Sequence, residues 1–265
     1  MCKVLKKVLP VIAAVLLTSV PAFAAHPLIT DDTGTQGQGK FQLEVNGEYG
    51  RDKENLGGVE TRENAAGLET VISGGLTDTI DLVVAVPWAW SRMKEDGVVV
   101  SDENGLGDLG LELKWRFLEY KGFSLALKPG LTLPTGNENR GLGNGKVSYG
   151  ATMVATQELD PFTVHLNLAY THNEFKLDLD KEANRRDIWH ASLATTYQVL
   201  EDLQLVANVG MESNGDRGSN TWPAFVLGGA IYSLSENLDL DLGVKGGLNK
   251  QEPDLAFLAG VAWRF

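Results

Sequence analysis

The sequence predicts an all-β protein: a closed antiparallel transmembrane β-barrel of about 12 strands. Three observations lead there. The chain opens on an export signal. The remainder alternates apolar and mixed residues with period two, and no segment is apolar for the roughly eighteen residues a membrane helix needs. Its aromatic residues gather at strand ends rather than strand centres. A chain that enters lipid without apolar helices satisfies its backbone only as a closed barrel.

The signal is read over residues 1–24. Lys3, Lys6 and Lys7 form a charged start, Val8 to Val20 an apolar run too short to span as a helix, and Ala22-Phe23-Ala24 a cleavage site before Ala25. Residues 25–38 are a short polar segment that either hangs in the periplasm or folds into the lumen as a plug. Residues 39–265 are the barrel. The only cysteine, Cys2, lies in the signal, so the exported chain has no disulfide, thiol nucleophile or cysteine metal site. The net charge is −12, and loss of the lysine-bearing signal makes the exported chain more acidic still. That excludes nucleic acid as a partner, because phosphates need cationic neutralisation.

The strands follow in order, apolar face first. Strand 1 carries Phe41, Leu43, Val45 and Tyr49 against Gln42, Glu44, Asn46 and Glu48; strand 2 carries Leu68, Thr70, Ile72 and Leu76 against Glu69 and Ser73. Strand 3 sets Leu82, Val84, Val86, Trp88 and Trp90 against Asp81, Ala85 and Pro87. Strand 4 sets Leu109, Leu111, Leu113, Trp115 and Phe117 against Asp108, Gly110, Glu112, Lys114 and Arg116. Strand 5 has Phe123, Leu125, Leu127, Leu131 and Leu133 opposite Ser124, Lys128 and Thr132, and strand 6 runs near Val147 to Gln157. Strand 7 has Phe162, Val164, Leu166, Leu168 and Tyr170 opposite Thr163, His165, Asn167 and Thr171. Strand 8 alternates Trp189, Ala191, Leu193 and Tyr197 with His190, Ser192 and Gln198. Strand 9 alternates Leu203, Leu205, Val209 and Met211 with Gln204, Asn208 and Glu212. Strand 10 runs from Trp222 to Tyr232. Strand 11 has Leu238, Leu240, Leu242 and Val244 opposite Asp239, Asp241 and Lys245. Strand 12 has Leu255, Phe257, Val261, Trp263 and Phe265 opposite Asp254 and Arg264.

In a soluble sandwich the apolar face would be a core. Two features choose the barrel instead. Short turns, such as Thr77–Thr79 and Leu118–Gly122, alternate with longer polar loops at Arg51–Arg62, Ser91–Gly105, Gly136–Lys146, Glu174–Arg186, Ser213–Asn220 and Asn249–Pro253. Outer-membrane barrels have short periplasmic turns and longer outer loops. The outward aromatics also form two girdles. Tyr49, Trp88, Trp90, Tyr170, Trp189 and Phe225 lie near the long loops; Phe41, Trp115, Phe117, Phe123, Phe162, Tyr197 and Trp263 lie near the short turns. The chain ends on its last strand. Phe257, Val261, Trp263 and Phe265 resemble the carboxy-terminal signal read by the barrel-assembly machinery during insertion. The expected location is the bacterial outer membrane, with its lipid as surroundings.

Four stretches carry a family resemblance: His26-Pro27-Leu28-Ile29-Thr30-Asp31-Asp32-Thr33-Gly34-Thr35-Gln36-Gly37, Gly75-Leu76-Thr77-Asp78 with Val86-Pro87, Gly105-Leu106-Gly107-Asp108, and Leu133-Pro134-Thr135-Gly136. In this order they resemble the outer-membrane family named for a meta-pathway of phenol degradation. The resemblance implies an outer-membrane barrel, often described as a transporter. It brings no catalytic residues and fixes no substrate.

Residues that could carry chemistry are few. Gly105-Leu106-Gly107-Asp108-Leu109-Gly110 fits G-x-G-x-x-G but enters a strand, where a dinucleotide site needs a helix. Glu212-Ser213-Asn214-Gly215 resembles part of the site of outer-membrane lipid hydrolases. Met211 stands where their histidine would be, so Ser213 lacks a base. His26, His165, His172 and His190 have no paired metal spacing. No enzyme, metal or cofactor is expected, and solvated charge explains the acidic loops at 102–104 and 178–182. Function is expected in the lumen, lined by Glu44, Glu48, Glu69, Asp81, Asp108, Glu112, Lys114, Arg116, Lys128, His165, His190, Glu212, Asp239, Asp241, Lys245 and Arg264. Val71, Val83, Ala85, Val206, Val226 and Leu258 add an apolar share. Glu112 and Lys128 should pair across strands 4 and 5 and constrict the path, since buried charges are rarely left alone. Pro87 and Pro129 mark gaps or bulges in the wall. The reading is a channel for passive passage of small solutes, hydrophobic or aromatic compounds among them. The alternative is a non-conducting structural or surface-binding barrel, and a lipid hydrolase ranks below both.

Overall fold

The computed structural model describes residues 26–265 apart from residue 57. The export signal, its cleavage site and Ala25 lie outside the described residues. Thirteen strand segments form one antiparallel sheet. They are β1 (Phe41–Leu56), β2 (Val59–Gly75), β3 (Ile80–Glu95), β4 (Val98–Leu106), β5 (Leu109–Tyr120), β6 (Phe123–Leu133), β7 (Ser148–Leu159), β8 (Phe162–His172), β9 (Asp187–Leu200), β10 (Leu203–Glu212), β11 (Ala224–Ser235), β12 (Leu238–Gly247) and β13 (Leu255–Arg264). Segments β4 and β5 are two parts of one span. Both pair with β3, β5 over Ile80–Ala85 and β4 over Trp88–Glu95, with Pro87 at the break between them. Counted so, the barrel has twelve spans. β1 pairs with β2 on one side and β13 on the other, and β2 pairs with β3, which closes the barrel; β4 pairs with β3 alone.

Burial is inverted relative to a water-soluble sheet. Leu168 is 55% exposed and Leu242 67%, and both sit on the outer face with most of the leucines, valines and aromatic rings. Lys128 is 1% exposed, and Asp81, Asn167 and Glu112 are buried as well. No chain in water would expose a continuous apolar belt and bury lysines and carboxylates; one facing lipid would. Closure also pairs the strand backbone, where each unpaired polar group in hydrocarbon would cost several kcal/mol. Ring pairs mark the two girdles: Phe162 with Tyr197 at 4.8 Å and Trp263 with Phe265 at 4.7 Å near the short turns, and Tyr170 with Trp189 at 4.8 Å near the long loops.

Two expected loops are strand instead. Arg51–Arg62 continues the β1–β2 hairpin out to Leu56 opposite Val59, and Ser91–Gly105 continues β3 into β4. Both project beyond the apolar belt, where neither face meets lipid, so apolar alternation disappears although the ladder continues. Cross-strand charges hold them: Lys53 with Glu60 at 2.7 Å, and Arg92 with its register partner Asp102 at 2.5 Å. Asp96 and Gly97 form the two-residue tip with positive φ, 46° and 84°, as a tight hairpin requires. Within other loops lie a short 3-10 turn, Glu138–Arg140, and a helix α1, Asp178–Ala183.

One strand face is corrected. Phe225, expected outward in a girdle, is 5% exposed and packs inward with Leu28, Leu227 and Leu258; Val226, expected in the lumen, is 48% exposed. The stretch Phe225-Val226-Leu227-Gly228-Gly229-Ala230-Ile231 is apolar at both parities, so alternation could not choose its face.

Candidate functional site: a lumen divided by the N-terminal segment

Inward side chains of β3, β5, β6, β7, β8, β10 and β12 meet a stretch of chain that crosses the lumen. Residues 26–36 enter the barrel and bond to its wall on several sides. The Ile29 and Thr30 amides donate to Asn208 Oδ1 at 2.8 and 3.1 Å, and Asn208 Nδ2 donates to Thr30 Oγ1 at 2.7 Å. The Thr33 amide donates to Thr156 Oγ1 at 3.1 Å, and the Gln36 amide to Asp81 Oδ2 at 2.9 Å. His26 bonds to Asp241. The Asn167 amide, oriented by its network, accepts from Asp31 N at 2.6 Å and donates to Asp31 O at 3.0 Å. Glycines make the room. A Cβ at Gly229 or Gly243 would come within 2.8 or 2.7 Å of the Pro27 ring, and one at Gly75 within 1.9 Å of Gly37 O.

Asp31 is the centre of this contact. Its carboxylate takes Lys128 Nζ at 2.6 Å and Lys114 Nζ at 3.1 Å. Lys128 Nζ also lies 3.1 Å from Glu112, and Lys114 Nζ 3.4 Å from Asp32. Two cations and three carboxylates, most of them buried, thus bridge the segment to β5 and β6. Bridging neutralises charges that lipid-enclosed protein could not hold singly.

The segment separates two spaces. On the side of the short turns lies a polar vestibule of about 670 Å³, bordered by Glu44, Asp81, Lys114, Lys128, Asp239, Asp241 and Arg264. On the side of the long loops lies a cavity of about 350 Å³, lined by Pro27, Leu28, Ile29, Ala85, Leu142, Ile188, Phe225 and Leu258 with a minority of charged groups. Leu142 reaches the cavity because Asp108 Oδ1 and Oδ2 accept the Gly136 and Asn144 amides, at 2.9 and 2.7 Å, and hold the 136–144 loop inward.

The remaining expected lumen residues fall into local pairs. Arg264 meets Asp239 at 2.6 Å and Lys245 meets Glu48 at 2.9 Å and Glu252 at 3.1 Å. Burial pushes the Glu252 carboxyl above its usual range, against the pull of Lys245. Glu44 accepts from Gln42 Nε2 at 2.5 Å, Arg116 donates to Asp78 O at 3.3 Å, and His165 shares a 3.0 Å bond with Thr156. His190 stands 3.7 Å from Glu212. Ser213 Oγ accepts the Trp189 amide at 2.8 Å, which ties it to the wall rather than to a base. Among the described residues no group of three or more His, Cys, Asp or Glu could hold a metal. Phe257, Trp263 and Phe265 face outward, and Val261 is partly covered.

Asn167 and Asn208 lie on the polar faces of strands 7 and 9 in the sequence but are not singled out in the expected lining, and the place of Thr30, Asp31 and Thr33 stays open there between periplasm and lumen. The available signal was an imbalance: strands 4 and 5 put three basic side chains inward near one glutamate, and Asp31-Asp32 lay just upstream.

The family described as "Putative MetA-pathway of phenol degradation" matches residues 27–265. The chain belongs to this family. No curated protein matches it in sequence. Among solved structures it is similar to an outer membrane channel from Pseudomonas putida F1, at 19% identity and a TM-score of 0.70, covering 88% of this chain and 98% of that one. It is also similar to the NanC porin, at 12% identity and 0.56 over 83% and 98% of the two chains. A third is the translocator domain of the autotransporter NalP from Neisseria meningitidis, at 14% and 0.53 over 86% and 89%. A channel, a porin and a translocator domain share this barrel, so the family member's fold is established by likeness and its function must be argued from the lumen.

Proposed function

We propose that this family member is a non-enzymatic bacterial outer-membrane channel for passive passage of small solutes, with hydrophobic or aromatic compounds among them. The observation that carries the reading is the division of the lumen into an apolar outer cavity and a polar vestibule by a segment held mainly by side-chain contacts. A permanent brace would be better served by strand pairing; side-chain contacts can be exchanged for water. The apolar lining suits a solute with an apolar body better than a hydrated sugar or ion. Liposome permeation tests it: proteoliposomes should admit benzyl alcohol-sized solutes faster than protein-free liposomes. Equal rates favour the second reading, a non-conducting barrel, which the Asp31 bridges support by filling the lumen centre.

For assembly, Phe257, Val261, Trp263 and Phe265 are the proposed insertion signal. Phe265 also exchanges backbone bonds of 2.8 and 2.9 Å with Phe41 across the closing seam. Deleting Phe265 should lower the folded, heat-modifiable fraction in the outer membrane several-fold. Unchanged folded protein would remove this residue from the signal.

A further inference from the structure

The outer cavity is charged in one direction. Its lining includes Glu48, Glu69, Asp108, Glu112, Glu212 and Glu252 against one lysine, Lys245. Most of these carboxylates are already engaged. Lys245 takes Glu48 and Glu252, Lys128 takes Glu112, backbone amides take Asp108, and His190 stands beside Glu212. Glu69 differs. Among the described residues no hydrogen bond or ion pair is formed by Glu69, and the charge of Lys128 acts on it only from a distance. Its register partner across β1–β2 is Asn46, whose Oδ1 is buried and also has no donor, the Asn46 amide nitrogen being turned to Glu44 at 3.4 Å. Pro87, the register partner of Glu69 on β3, has no N–H to offer. Two acceptors therefore stand side by side on the wall of an apolar cavity. Space adjoins them: Gly67, two residues along on the same face, has no atom within 4 Å of where a Cβ would be. The Asn46 oxygen is buried and the Glu69 carboxylate half-buried; a buried acceptor without a donor is rare in native proteins and points to a missing partner.

We propose that Glu69 and Asn46 form a subsite for the ammonium or other N–H donor head of an amphiphilic organic cation, whose apolar body lies along the outer cavity. The head supplies the donors both oxygens lack, and its charge balances the surplus of carboxylates. Anions of the same shape are excluded by the same field. The assignment rests on the channel reading for its biological sense, but binding can be measured without transport.

The experiment is a calorimetric titration of the folded, detergent-solubilised protein with benzylammonium, benzyl alcohol and benzoate. Benzylammonium should bind at least about tenfold tighter than benzoate, the equivalent of one charge-assisted hydrogen bond. In Glu69→Gln the ratio of benzylammonium to benzyl alcohol affinity should fall toward one. Gly67→Leu, which fills the adjoining space, should weaken benzylammonium binding and serves if the first variant does not fold. Equal affinity for the three probes, or wild-type binding of benzylammonium in either folded variant, overturns the subsite. Failure of permeation with binding intact would instead sink the channel reading and leave the subsite standing.

Discussion

Asp31→Ala should raise single-channel conductance by about twofold or more while the barrel stays folded. The side chain being removed is 1% exposed and carries contacts to both Lys114 and Lys128. Removing one partner from a buried ion pair typically costs about 3–5 kcal/mol, because the opposite charge is left uncompensated. Here Lys128 keeps Glu112 on the barrel wall, while the remaining partner of Lys114, Asp32, sits on the segment itself. The barrel therefore absorbs the change, and the loss falls on docking of the segment. Every 1.4 kcal/mol is a factor of ten in an equilibrium, so a penalty of that size shifts the segment substantially toward a released state. The barrel ladder is untouched, so heat-modifiable migration should match wild type. Wild-type conductance in a folded variant would mean that the segment is held by Asn208, Thr156 and Asp81 without help from the charges.

The second large effect is expected from the double substitution Glu112→Ala with Lys128→Ala. It removes one positive and one negative charge at the level of the segment, so no net charge is added to the lumen. Asp31 then retains Lys114 at 3.1 Å. The segment should remain docked while the gap between it and β5–β6 widens. The outcome should be higher conductance or relaxed discrimination among solutes, smaller than for Asp31→Ala. A folded double variant that conducts and selects as wild type would move the constriction elsewhere along the segment.

The spans were legible because lipid outside and polar groups inside impose period two on the sequence. The text fails where one of those conditions lapses. The 51–62 and 91–105 hairpins are wet on both faces, so their strands carry no apolar stripe and read as loops. Around Phe225 both faces are apolar, because a cavity rather than polar packing lies inside, and the parity cannot be read. The nearness of Glu112 and Lys128 could be counted along a hairpin, since β5 and β6 are joined by the Lys121-Gly122 turn. Asp31 could not be placed that way. Its partners lie 83 and 97 residues away and meet it only after the barrel closes. The polar stretch 26–37 showed what it could bond with, but not whether it would turn inward. Glycines at 229 and 243, which open the wall for Pro27, look in the sequence like any other strand glycines.

Planar-bilayer recording of purified wild-type protein alongside Asp31→Ala tests the central claim most directly, that the lumen is a solute path narrowed by its N-terminal segment. The account predicts small, discrete steps from the wild type and larger steps from the variant, with both proteins heat-modifiable. Silence from both folded proteins would contradict it and leave a plugged, non-conducting barrel.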